Sequence, residues 1–100
     1  VFQPHLFSRT RDFMEGFADS LSTFENVILL EIYPARELPL ENINSTVLIN
    51  KLKSPSKILL PKEELVSFLT KNTPEVLLII GAGDVGEMVE EIKIELEKNN

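Results

Sequence analysis

Short aliphatic runs alternate with amphipathic segments along this chain, and that alternation limits its fold more than any other feature. Asn26 to Tyr33 (NVILLEIY), Lys57 to Leu60 (KILL) and Glu75 to Ile80 (EVLLII) are aliphatic runs with few polar interruptions. This is the pattern of strands buried on both faces of a parallel sheet. Strands are expected at Val27 to Ile32, Lys57 to Leu60 and Val76 to Ile80, with Val1 to Gln3 as the end of another. Phe13, Met14, Phe17, Leu21 and Phe24 recur at helical spacing, with Ser8 or Thr10 as the cap. Ser45 suits the N-cap of a short helix carrying Val47, Leu48 and Leu52. Pro61, followed by Glu63 and Glu64, opens another with Leu65, Phe68 and Leu69 inward. Gly81 to Gly86 turns the chain into a last helix with Val85, Met88, Val89, Ile92 and Leu96 on one face, and Asn99-Asn100 reads as its frayed end. Strands and helices in this order make βαβ units, and right-handed crossovers then give an α/β, doubly wound, mainly parallel sheet.

Residues 1–100 fit a single domain, and 43% hydrophobic with 26% charged residues is the composition of a folded chain. A net charge of −6 excludes a general nucleic-acid binder, which needs a broad basic surface. The absence of cysteine excludes disulfides, thiolate metal sites and a cysteine nucleophile, and a single histidine excludes a His-rich metal site. No apolar run approaches the roughly 20 residues that span a bilayer. Val1-Phe2-Gln3-Pro4 has neither the basic nor the apolar region of a signal peptide. The start also lacks methionine and opens on the end of a strand, so the chain reads as cut from a longer protein, truncated in its first strand and helix. A cytoplasmic origin fits these features.

An open α/β sheet binds ligands at the carboxyl ends of its strands. Three loops belong there: Pro4 to Thr10, Pro34 to Asn44 and Gly81 to Gly86. All three arginines (Arg9, Arg11, Arg36) and the only histidine (His5) lie in or beside the first two. Arginine presents a planar fork suited to carboxylate or phosphate, so its confinement to one edge of an acidic chain points to an anion site. Chance placement, with Arg11 on a solvated helix face, weighs equally on the residues alone. His5 follows a strand end and Pro4, where a side chain faces either a ligand or merely the loop backbone. Gly81-Ala82-Gly83-Asp84-Val85-Gly86 satisfies G-x-G-x-x-G between a strand and a helix. A dinucleotide site also needs a later strand and an acidic residue about 20 positions on, and only fourteen residues follow Gly86. The glycines therefore serve strand–helix packing or open a helix terminus to a small anion, with Asp84 as a competing cap. Glu31 and Glu37, six residues apart across a strand-to-loop boundary, have no fixed geometry as an acid–base pair.

Three segments carry a family resemblance. Val1-Phe2-Gln3-Pro4-His5-Leu6-Phe7-Ser8-Arg9-Thr10-Arg11-Asp12 resembles the FQPH-x-aromatic-[ST]-RTRD signature of the UDP-N-acetylmuramate–L-alanine ligases, a branch of the Mur ligases. Glu31-Ile32-Tyr33-Pro34-Ala35-Arg36-Glu37-Leu38-Pro39 resembles the family's D/E-V-Y-P-A-G-E-x-P loop, and Gly81 to Gly86 its GAG[DN]IG turn. The resemblance covers the chain from end to end. It implies the Rossmann-like carboxyl-terminal domain of a three-domain enzyme, which packs on a central ATP-binding domain. It further implies that ATP and Mg2+, held mainly by other domains, activate the muramoyl carboxylate of the UDP-sugar, and that this domain receives L-alanine and closes the site. Residue by residue, His5 and Arg9 would hold the alanine carboxylate. Arg36, Gly81, Ala82, Gly83 and Asp84 would form a nearby wall, with Arg36 standing where the family has glycine. Many members have arginine where this chain has Leu6, and Arg36 is a candidate to restore that charge. No residue here is expected to act as a catalytic group, and neither a metal site nor a tightly held cofactor is expected.

Two other readings stand against a ligase domain. One is a non-catalytic α/β interaction or regulatory module, which would need its whole sheet. The other is a piece of a nucleotide-binding oxidoreductase, which lacks its acidic ribose partner.

Overall fold

Where the aliphatic runs can hide decides how they pair. In a computed structural model that describes residues 1–98, they form one parallel sheet of β1 (Phe2–Gln3), β2 (Asn26–Leu30), β3 (Ser56–Leu60) and β4 (Ile80–Gly81), in the order β3-β2-β1-β4. Asn99 and Asn100, expected to fray, lie outside the described residues. Between the strands run α1 (Phe7–Asp12), α2 (Met14–Leu21), α3 (Ser45–Lys51) and α4 (Leu65–Lys71), and α5 (Val89–Glu97) follows β4. Short 3-10 turns at Lys62–Glu64 and Asp84–Met88 lead into α4 and α5.

The alternation of side chains along β2 explains the two helical layers. Val27 and Leu29 face a core with Met14, Ala18, Leu21, Leu48 and Leu52 from α2, α3 and the end of α3. Ile28 and Leu30 face the opposite core, with Leu65, Leu69, Val85 and Ile92 from α4, the 3-10 turn and α5. Successive residues of a strand point to opposite faces, so one strand feeds both cores. The fold is thus the doubly wound α/β type expected. Its strand order reverses at β1, from which the chain winds first outward to β2 and β3 and then back to β4 on the other side.

Several local expectations are corrected. The Val76 to Ile80 run is not a buried strand: only Ile80–Gly81 pairs, with Phe2 and Gln3, and Val76, Leu78 and Ile80 are 86%, 51% and 42% exposed. The run lies at the sheet edge beside a strand that offers two residues for pairing, and helices cover only its Leu77 and Ile79 side. β2 stops at Leu30, two residues short of Ile32, and β3 starts one earlier, at Ser56. The first helix is two: Phe13, at φ −118°, ψ 18°, joins α1 to α2. That joint turns Phe13 outward (57% exposed) while Met14, Ala18 and Leu21 go in, and Phe24 lies past the helix end, 43% exposed.

The caps also differ. Neither Ser8 nor Thr10 caps α1. Thr10 is buried inside it, and its hydroxyl donates back to the Leu6 carbonyl at 2.8 Å. Asn44, not Ser45, caps α3 by accepting from the Val47 amide, while buried Ser45 donates to the Leu30 carbonyl at 2.6 Å. Val89 turns out of the last helix's apolar face, 44% exposed.

Leu29 and Leu48 are fully buried on the α2–α3 side, whereas Leu38 is 82% exposed. Truncating a buried leucine removes its transfer free energy and leaves a cavity, which costs about 2–5 kcal/mol. Leu48→Ala should lower stability to denaturant by that amount, and Leu38→Ala by less than about 0.5 kcal/mol.

Candidate functional site

The strand order reverses between β1 and β4, and doubly wound sheets bind ligands beyond the carboxyl ends of the strands at such a point. Gln3, the last residue of β1, organises this end of the sheet. Although 4% exposed, its amide has every polar atom used. The side-chain carbonyl accepts from the Val85 N–H at 3.0 Å, and the side-chain NH2 donates to the Asp84 carboxylate at 2.5 Å. Lys62 donates to the other oxygen of Asp84. The hydrogen bond from Lys62, then that from Gln3, hold the Asp84 carboxyl below the usual range, and Asp84 in turn raises Lys62.

These contacts decide what the Gly81–Gly86 turn is for. A Cβ at Gly83 would lie 2.5 Å from Tyr33 Cγ and 2.7 Å from Gln3 Oε1, and one at Gly81 would lie 2.6 Å from Val85 Cγ1. Both glycines therefore admit close neighbours, the packing alternative, and neither has a positive φ. A Cβ at Gly86 would meet nothing within 4 Å. The Val85 amide, one of those an anion would seek, is taken by Gln3, and Asp84 spends its carboxylate on Lys62 and Gln3 rather than capping the turn.

The loop after β1 continues the ladder with β2 through a bridge between His5 and Tyr33. Tyr33 donates its N–H to the Pro4 carbonyl and accepts from the Leu6 N–H, both at 2.8 Å. The His5 ring stacks on the Tyr33 ring, 5.8 Å between centroids at 15°, so a half-buried imidazole is held flat against a rigid neighbour. Tyr33 thereby touches both His5 and the space over Gly83. Leu6 adopts φ 69°, ψ 136°, a conformation that costs a non-glycine residue on the order of 1–3 kcal/mol and is concentrated at functional sites.

Glu37 fixes the second loop. Its carboxylate accepts from the Ser8 N–H at 3.0 Å and from the Ser8 hydroxyl, satisfying free donors at the start of α1 from outside the helix. Those bonds lower the Glu37 pKa. Glu31 is exposed, so the two glutamates are not a pair. Arg9 and Arg36 are exposed without an ion pair among the described residues, while Arg11 pairs with Asp12 at 2.9 Å. The Ser8–Glu37 contact joins the neighbours of Arg9 and Arg36, so both free guanidinium groups belong to one clamped pair of segments. His5 on the loop after β1, Arg9 in α1, Gly81 at the end of β4, and Gly83 and Asp84 in the turn that follows thus lie toward one edge. No cluster of three histidine, cysteine or acidic side chains suited to a metal occurs among the described residues.

Comparison with known proteins covers nearly the whole chain. No family model matches the chain. UDP-N-acetylmuramate–L-alanine ligase of Flavobacterium psychrophilum is 56% identical over 98 residues, covering 98% of this chain and 22% of the relative. The enzymes of that name from Flavobacterium johnsoniae and Cytophaga hutchinsonii are 52% and 50% identical over 99 and 98 residues. The chain belongs to the UDP-N-acetylmuramate–L-alanine ligase family. It spans about a fifth of the length of these relatives. The segments that carry the ligase resemblance contact one another at this end of the sheet: Gln3 with Asp84 and Val85, His5 and Gly83 with Tyr33, and Ser8 with Glu37.

Gln3, Tyr33 and Lys62 are not marked out by the sequence as site residues, and Glu37 enters there only as a partner for Glu31. A buried polar residue ending a strand was the available signal for Gln3; for Lys62 there was none, since its partner lies 22 residues away.

Asp84 binds a proton less readily in the folded chain than in the unfolded one, so its contribution to stability is full above the ordinary carboxylate range and is lost as pH falls through its lowered folded pKa. Denaturant midpoints measured from pH 7 down to pH 3 should fall less steeply for Asp84→Asn than for the unaltered chain. Gly83→Ala should lower the melting temperature by displacing Tyr33, and Gly86→Ala should leave it unchanged or raised.

Proposed function

We propose that this chain is the carboxyl-terminal, amino-acid-binding domain of a UDP-N-acetylmuramate–L-alanine ligase working in the bacterial cytoplasm on a peptidoglycan precursor. The observation that supports the reading is the set of contacts that link His5 and Gly83 through Tyr33, and Ser8 with Glu37, at the carboxyl ends of the strands, in a chain that matches these ligases over nearly its whole length. In this reading ATP and Mg2+ are held mainly by the rest of the enzyme, as is the UDP-sugar. ATP phosphorylates the muramoyl carboxylate, and the alanine amine attacks the resulting acyl phosphate. This domain packs on the central ATP-binding domain and closes over the reacting groups. Its contribution is to fix the amine close to the acyl carbon and exclude water.

Each residue then has a task. Arg9 supplies a guanidinium fork to the alanine carboxylate, and His5 a second donor whose ring is oriented by Tyr33. Glu37 holds α1, and with it Arg9, against the loop that bears Arg36. Gly81, Ala82, Gly83 and Asp84 form a wall set by the Gln3 bonds. Arg36 restores a positive charge lost where Leu6 replaces arginine. By itself the chain turns over no ATP, because the phosphate-binding loop lies elsewhere.

In the full-length enzyme, losing a charged hydrogen bond costs about 1.5–3 kcal/mol. Arg9→Ala should therefore lower kcat/KM for L-alanine roughly tenfold to a few hundredfold. KM for ATP and for the UDP-sugar should change little, as should the melting temperature. Equal losses for all three substrates with a lowered melting temperature would overturn the assignment.

A further inference from the structure

The loop after β3 also ends at the carboxyl edge of the sheet. Pro61, at φ −64° and ψ 146°, turns the chain there into the 3-10 turn Lys62–Glu64 that opens α4. The 3-10 turn Asp84–Met88 opens α5 in the same way. α4 and α5 pack into one core through Leu65, Leu69, Val85 and Ile92, so their opening turns meet although β3 and β4 are the two outer strands. That packing brings Lys62 to Asp84. A shallow hollow of about 220 Å3 lies between the turns, lined by Lys62, Glu63, Asp84, Glu87 and Met88, and Lys62 is the only cation lining it. The start of a helix favours anions, so a lysine there works against its own helix, and Glu63 and Glu64 are the residues that suit the position. The bond to Asp84 raises Lys62, with Glu63 and Glu87 adding to it.

Asp84 is the less solvated partner, its side chain 21% exposed against 48% for Lys62. The Gln3 amide satisfies one carboxylate oxygen without altering its charge, and Lys62, on the other oxygen, supplies the opposite charge. A poorly hydrated carboxylate needs that counter-charge more than the exposed Glu63 and Glu87 do. Its place matters for the neighbouring loop. Asp84 follows Gly83, whose backbone lies against Tyr33, and Tyr33 stacks on His5. We propose that Lys62 is a positioning residue of the alanine site, which holds Asp84 and cancels its charge so that the wall beside His5 presents no bare anion to the incoming carboxylate. This rests on the reading of His5 and Arg9 as the groups that hold that carboxylate. Lys62 acts through Asp84 and does not itself touch the amino acid. Without it, two like charges face each other at a partly desolvated edge, where repulsion is stronger than in bulk water.

The test is made in the full-length enzyme, with Lys62→Gln, Lys62→Arg, Asp84→Asn and the double variant Lys62→Gln/Asp84→Asn. Lys62→Gln should raise KM for L-alanine about two- to tenfold, with kcat and the KM values for ATP and the UDP-sugar little changed. Lys62→Arg should restore the KM. So should adding Asp84→Asn to Lys62→Gln, to within about twofold of the unaltered enzyme, because it removes the bare charge. Raising the ionic strength should shrink the Lys62→Gln effect, since salt screens the repulsion. A lysine that merely ties two turns together would give the reverse: a double variant no better than Lys62→Gln and an effect indifferent to salt, either of which overturns the proposal. A large rise in alanine KM from Asp84→Asn alone would also overturn it, by making Asp84 a direct contact of the amine. Arg9→Ala, measured alongside, separates the two ideas. A selective alanine loss in Arg9→Ala without the Lys62 pattern overturns the role of Lys62 and leaves the functional reading standing, and no such loss overturns that reading and this inference with it.

Discussion

Phe2 is paired on both sides, with Leu29 of β2 on one flank and Ile80 of β4 on the other, and Gln3 pairs with Gly81 of β4. The helical layers cover the two faces of the sheet, and β4 joins the other strands only through the two-residue β1. Phe2 sends its ring into the α2–α3 core, 5.2 Å from Phe17. Gln3 turns to the far edge and binds the turn that starts the last helix. Adjacent residues of one strand thus do separate work, one by burying apolar surface and the other by satisfying polar groups out of reach of water. A buried amide with all its partners present specifies geometry strongly, because any displacement leaves desolvated groups unpaired.

The layer arrangement was legible in the sequence because it rests on periodicity and apolar content, which local residues express. Asn26 to Leu30 shows two faces by its lack of polar alternation, and α4 shows its inward side through Leu65 and Leu69. The Glu75–Ile80 run has the same local character, yet its burial depends on what lies beside it, and that information is not in the run. Phe13 failed for a related reason. Helical spacing placed it on the stripe, but a change of backbone angle at that one residue rotates the stripe about Met14. The capping assignments reversed by a single step at Asn44 and Ser45, where both side chains suit the role and a tertiary acceptor, the Leu30 carbonyl, selects between them.

The candidate site was legible in part. Topology places strand-end loops together, so His5, Arg9 and the glycine turn could be assigned to one edge from their order alone. Their mutual fastening could not. It runs through Gln3–Val85, Ser8–Glu37 and Lys62–Asp84, contacts that span 82, 29 and 22 positions. The glycine turn shows how a motif can be right in place and open in meaning. Its spacing allowed either tight packing or anion capture, and the Tyr33 ring over Gly83 resolves the choice in favour of packing.

The positive φ at Leu6 bears on which residues this position can accept over evolutionary time. A β-branched side chain would be excluded there by its own backbone before any question of charge arose. Leucine and arginine both branch beyond Cβ, so they face the same backbone cost and can exchange without rebuilding the loop. The chemistry of the side chain at this position is thereby uncoupled from the shape of the loop, since one residue unbranched at Cβ can replace another while the peptide path between Pro4 and Phe7 stays as it is.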